Sequence, residues 1–128
     1  MRTISTRVNY CLSGLLLAMA LVTGCSEAEG PVAPVTLEQI PAELGKAFAN
    51  AKAETKDASG QTVAAVQAKD YAKAATLLEN LRQRPDLNKQ QGRTVAGAAL
   101  SVHAALATAE ANGDQQAAEV LKTQRMTK

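Results

Sequence analysis

Residues 68–85 read "AKDYAKAATLLENLRQRP". Tyr71, Ala74, Ala75, Leu78 and Leu81 recur there at the three- and four-residue spacing that lines up one face of a helix. Asp70 stands just ahead of them, and a carboxylate at that position can accept from the unpaired N–H groups of the first turn. Pro85 has no N–H to give and clashes with the turn before it, so the helix must stop short of it. This is the clearest amphipathic helix in the chain. Its apolar face needs neighbours, and the flanking sequence offers only more helices.

Upstream, a helix is expected from near Thr55 or Asp57 to about Gln67. Val63 and Val66 are its large apolar residues, and Gly60 weakens it by up to about 1 kcal/mol relative to alanine. Before it, "VTLEQIPAELGKAFANAKAE" (35–54) places Leu37, Ile40, Leu44, Phe48 and Ala51 on one side. Pro41 suits a first turn, so this helix is expected over about 41–53. Thr36 and Gln39 have the spacing of a capping box, which allows a single turn ahead of it. Downstream, Asn88 with Gln91 opens the longest helix, striped by Val95, Ala99, Val102, Leu106 and Ala109 and ended by Asn112-Gly113. Asp114 caps a last helix carrying Ala117, Ala118 and Leu121. Lys122, Arg125 and Lys128 close it, where cations suit the helix dipole.

Two places share a pattern: "AKDYAKA" (68–74) and "NGDQQAA" (112–118). Each has a turn residue, then Asp, then alanine four residues after that Asp. The first resembles the second helix of a tetratricopeptide repeat, with Tyr71, Ala74, Leu78, Leu81 and Pro85 near that family's positions. The resemblance covers roughly 55–126. It departs from the family in three places: Pro85 comes one residue early, the helix at 89–111 is long, and the helix at 55–67 lacks a Trp-Leu-Gly signature. The resemblance implies an all-α fold of stacked helical hairpins, about four to five helices, over a single domain at 36–128. A small helical bundle is the structural alternative. Tyr71, Ala74, Leu78 and Leu81 are then packing positions between helices. "VAGAAL" (95–100) reads in the same way, with Gly97, Ala98 and Ala99 permitting a close helix crossing.

The front of the chain has a different character. "MRTISTR" is basic, and the apolar run that follows is about 15 residues, or roughly 22 Å as a helix. That is short for a bilayer core of about 30 Å. A basic start, a short apolar centre and small residues before a cut site describe a secretory signal. The run Val22-Thr23-Gly24-Cys25 resembles the lipobox of bacterial lipoproteins. That resemblance implies cleavage before Cys25, a diacylglyceryl group on its thiol and, usually, an acylated amino group. Residues 1–24 would then be a discarded signal peptide. An uncleaved membrane helix and an ordinary secretory signal are the alternatives. Two or more acyl chains are what stable anchoring requires. Ser26, where an Asp would favour the inner membrane, implies the outer membrane in a two-membrane cell. Residues 26–35, "SEAEGPVAPV", read as a flexible tether.

Composition sets limits on function. Cys11 falls in the signal, so a processed chain has one cysteine, itself modified, and no disulfide. Removing Arg2 and Arg7 takes away the net charge of +2 and leaves twelve basic against twelve acidic residues. No case for nucleic acid survives that, nor is there an aromatic stacking platform. Alanine makes up nearly a quarter of what remains, and Phe48 and Tyr71 are its only aromatics, so a thin, closely packed helical core is expected.

His103 is the only histidine and has no ligand partner within reach on its own helix. No nucleophile or phosphate-cradling motif occurs. Arg82, Arg84, Lys89 and Arg93 form a modest basic cluster that reads as solvated helix ends. The expectation is an envelope lipoprotein, not an enzyme, without cofactor beyond the covalent lipid, acting as an adaptor or accessory interaction module with an unidentified protein partner. The alternative is a structural or apolar-ligand-carrying lipoprotein.

Overall fold

The computed structural model describes residues 30–126, and the folded unit begins at Pro31. Five helices make it up: α1 (Ile40–Ala47), α2 (Ala53–Gln67), α3 (Tyr71–Arg82), α4 (Lys89–Ala111) and α5 (Gln115–Met126). Among the described residues there is no strand, so the all-α expectation holds.

The two matching sequence patterns form the same turn. After α2, Lys69 donates its N–H to the Val66 carbonyl and Asp70 to that of Ala65. After α4, Gly113 donates to Glu110 and Asp114 to Ala109. This is the paired-bond ending in which one residue takes the left-handed conformation. Each Asp then caps the following helix: Asp70 accepts from the Lys73 N–H, and Asp114 from those of Gln116 and Ala117. The left-handed residue is glycine at 113 (φ +91°) but lysine at 69 (φ +58°). A Cβ in that region is strained, so Lys69→Gly is expected to stabilise the fold by about 0.5–1 kcal/mol in urea unfolding. A loss of stability instead would mean that the lysine side chain makes packing contacts outweighing the strain.

Those turns join α2 to α3 and α4 to α5 as neighbouring antiparallel pairs. How the pairs meet depends on α1. It packs against α2 and against α4, while α3 packs against α2, α4 and α5. The backbones of α2 and α4, the first helices of the two hairpins, do not approach each other closely. Four helices therefore close a ring in the order α1, α2, α3, α4, with α5 laid on α3 and α4. These are the contacts of a small bundle built from helical hairpins.

The ring encloses Ile40, Leu44, Phe48, Val66, Leu78, Leu81, Val95, Val102 and Leu106, spaced by Ala65, Ala74, Ala75 and Ala98. The small residues let the axes approach, which is how a chain poor in aromatics fills its centre.

Two boundaries differ from expectation. The first helix ends at Ala47, not 53, and the second starts at Ala53, ahead of Thr55. Between them the chain makes tight turns, with Ala49 donating to the Lys46 carbonyl and Ala51 to that of Phe48. The bend places both Phe48 and Thr55 in the interior. The inner face of α2 is also more polar than its valines suggested. Thr55, Ser59, Thr62 and Val66 are buried, whereas Val63 is only partly so. Thr62 disposes of its hydroxyl by donating to the Ala58 carbonyl within the helix. The expected capping box at Thr36 forms in part: the Gln39 side chain accepts from the Thr36 N–H, but no side chain caps α1 itself.

Candidate functional site

Val22, Thr23, Gly24 and Cys25, which carry the anchor expectation, lie outside the described residues, as do Cys11 and Ser26. What the structure does describe is how the chain arrives from that side. Residues 31–35 were expected to be free tether, but they pack against α4. At Gly97 an added Cβ would lie 2.8 Å from the Ala33 carbonyl oxygen and 3.2 Å from Val35 Cγ2. No side chain fits in that gap. One turn further on, the Ser101 hydroxyl donates to the Val35 carbonyl, giving that extended backbone a partner. Val35 and Leu37 pack against the core's edge. The glycine read as permitting a helix crossing thus permits a crossing by an extended strap instead.

The strap crosses the outer side of α4. Gly97 lies roughly half a turn round from Val95, Val102 and Leu106, all of which face the core. Beside the strap, Leu100 is 50 % exposed; among the described residues Met126 is the other large hydrophobic that is exposed. From Thr94 to Ala109, α4 contains no Asp, Glu, Lys or Arg.

The other positions singled out from sequence fall into place as packing or as surface pairs. Ala74, Leu78 and Leu81 are buried in the ring, and Tyr71 is partly buried at its edge. Two members of the basic cluster, Arg82 and Arg84, enter separate ion pairs. Arg82 meets Glu79 through two bonds of 3.0 and 3.1 Å, and Gln83 donates to the same carboxylate. These bonds, Arg82's first, hold the Glu79 carboxyl below its usual value; the Arg82 guanidinium is raised in turn. An exposed pair of this kind contributes a few tenths of a kcal/mol at most.

Arg84 binds Asp86 at 3.2 Å and reaches Glu54 at 3.6 Å. Asp86 also accepts from the buried Thr55 hydroxyl at 2.6 Å, and that bond is the main reason its carboxyl is held below its ordinary value. This constellation ties the start of α2 to the α3–α4 connection. Reading along the sequence missed it, because 31 residues separate the partners.

His103 is partly buried on α4. Among the described residues no group of three or more His, Cys, Asp or Glu side chains could hold a metal ion.

Two open clefts border the α2–α3 turn. One, about 320 Å³, is lined by Gln61, Ala64, Ala65, Ala68, Asp70 and Lys73. The other, about 190 Å³, lies between the two hairpin turns and includes Tyr71 and Asp114. Neither gathers a catalytic set. No helix among the described residues is long and apolar enough to cross a membrane. Comparison with protein-family models, curated proteins and solved structures gave no match.

Proposed function

We propose that the protein is a lipid-anchored envelope lipoprotein whose helical domain acts as a non-enzymatic adaptor or accessory module on the extracytoplasmic side of the membrane. The observation that carries this reading is the order at the front of the chain: basic residues, a short apolar run, then Val22-Thr23-Gly24-Cys25. Cleavage before Cys25 and acylation of it supply the anchor. Ser26 directs the protein to the outer membrane where there are two. The small bundle that follows spends its apolar residues on its own centre and presents helix surfaces, not a reaction centre, to whatever assembly it joins.

The test is the mature N-terminus. Intact-mass and peptide spectra of protein extracted from membranes should give a chain beginning at Cys25, heavier by a diacylglyceryl group and an acyl chain. Cys25→Ser should leave the membrane fraction. If that variant is processed to its usual size and still fractionates with membranes, the anchor reading is wrong. The adaptor role is tested by affinity capture from detergent-solubilised membranes under mild conditions, and recovery of no specific partner counts against it.

A further inference from the structure

We infer that the strap at Pro31–Val35 turns the outer side of α4, around Leu100, toward the lipid surface. This rests on the lipid anchor proposed at Cys25.

The length of the connecting chain sets the limit. Six residue steps separate Cys25 from Pro31, which at full extension reach about 20 Å. A unit of the size of residues 31–128 has a radius of gyration near 13 Å, hence a diameter of roughly 30 Å. A leash shorter than the body it holds cannot pass from one side of that body to the other. The side where the leash begins therefore stays next to the lipid.

The strap decides which side that is. Its grip on α4 has two parts: the bare backbone at Gly97, where Ala33 approaches too closely for any Cβ, and the hydroxyl of Ser101, which holds the Val35 carbonyl. Were the strap to lift, the leash would lengthen by five residues to about 38 Å, enough for the domain to tumble.

The chemistry of the exposed surface agrees. The α4 stretch beside the strap has no charged residue between Thr94 and Ala109 and offers Leu100, half exposed, to an interfacial environment. The helix α2, whose backbone does not approach that of α4 closely, exposes Glu54, Lys56 and Asp57 instead. A charged surface suits water, and an uncharged one with a free leucine suits the boundary of headgroups and acyl chains. The occupant proposed for this face is the bilayer surface itself.

The experiment uses the full lipidated chain in vesicles of phosphatidylethanolamine and phosphatidylglycerol that carry a nitroxide-labelled lipid. Acylated Cys25 is blocked, so Leu100→Cys and, separately, Asp57→Cys each provide one reactive thiol for a fluorophore. Quenching at position 100 should exceed that at 57 severalfold. Gly97→Val, which lifts the strap, should abolish the difference and open the bond after Val35 to elastase. Should that variant fold poorly by circular dichroism, Ser101→Ala serves in its place, with a smaller loss. Equal quenching at both positions in protein that floats with the vesicles overturns the inference and leaves the anchor standing. A full difference that survives release of the strap overturns it too. Protein that does not float with vesicles at all refutes the anchor itself, and this inference with it.

Discussion

Phe48→Ala is expected to remove about 3–5 kcal/mol of folding stability, the usual consequence of emptying a buried aromatic site. Phe48 is 1 % exposed and is the only phenylalanine in the chain. It sits at the end of α1, its N–H donating to the Leu44 carbonyl at 3.0 Å, where the helix gives way to the turns that lead into α2. Its ring belongs to a core whose other members are aliphatic and often no larger than alanine. Small neighbours have little side chain to swing into a vacated space. The cavity should persist, placing the cost toward the upper part of the range. A folded unit of this size has roughly 5–15 kcal/mol in total, so a large share of it rests on one ring. The midpoint of thermal unfolding should fall by roughly 15–30 °C. Leu100→Ala, at a half-exposed site, is the comparison and should stay within about 0.5 kcal/mol of the parent. A loss below about 1 kcal/mol for Phe48→Ala would mean that α1 does not complete the ring of helices described above.

That prediction depends on α1, the element whose place was hardest to read from sequence. The apolar positions Ile40, Leu44 and Phe48 were legible, because helical spacing marks them. The point at which the helix stops was not. Ala47 to Ala53 holds four alanines, and local preference carries a helix through them. What ends it is a side chain 44 residues away: Gln91 donates to the Ala47 carbonyl and gives that helix end a partner. The inner stripe of α2 was hidden for a related reason. Thr55, Ser59 and Thr62 are polar in composition and buried in fact, so a search for apolar periods finds Val63 instead. The strap has no period and carries Pro31 and Pro34, so it looks like linker until Gly97 and Ser101 are seen across from it. By contrast, both hairpin turns were legible down to the capping Asp, since every group involved lies within a few residues. What could be read, then, was whatever local bonding decides. What could not was whatever a distant partner decides, and in this domain those contacts settle whether the hairpins stack openly or close around α1.

Gln91→Leu tests that second kind of contact directly. Gln91 is 7 % exposed, and one amide group does two jobs. Its oxygen accepts from the Asn88 N–H at 2.9 Å, completing the cap of α4, while its nitrogen donates to the Ala47 carbonyl at 3.1 Å and closes α1. Leucine matches the volume and satisfies neither group. Asn88 is exposed and Ala47 half-buried, so water partly replaces each lost bond. At about 0.5–1.5 kcal/mol per bond, a combined loss of about 1–3 kcal/mol is expected in urea unfolding. The cap alone is measured by Asn88→Ala, where about 1 kcal/mol is typical. Only the larger loss at 91 demands the bond to α1, and equality of the two variants would show that the bond contributes nothing. Gln91→Glu sharpens the result. Its carboxylate can still accept from Asn88, but it turns a negative oxygen toward the Ala47 carbonyl. Protonated, the same group can donate there. The folded state therefore favours the acid form and raises its pKa above the unfolded value of about 4.3. The proton binds the folded chain more tightly, so the variant should gain stability relative to the parent as pH falls from 7 toward 4. A difference from the parent that does not change across that range would place Ala47 beyond the reach of residue 91 and leave the end of α1 without the partner assigned to it.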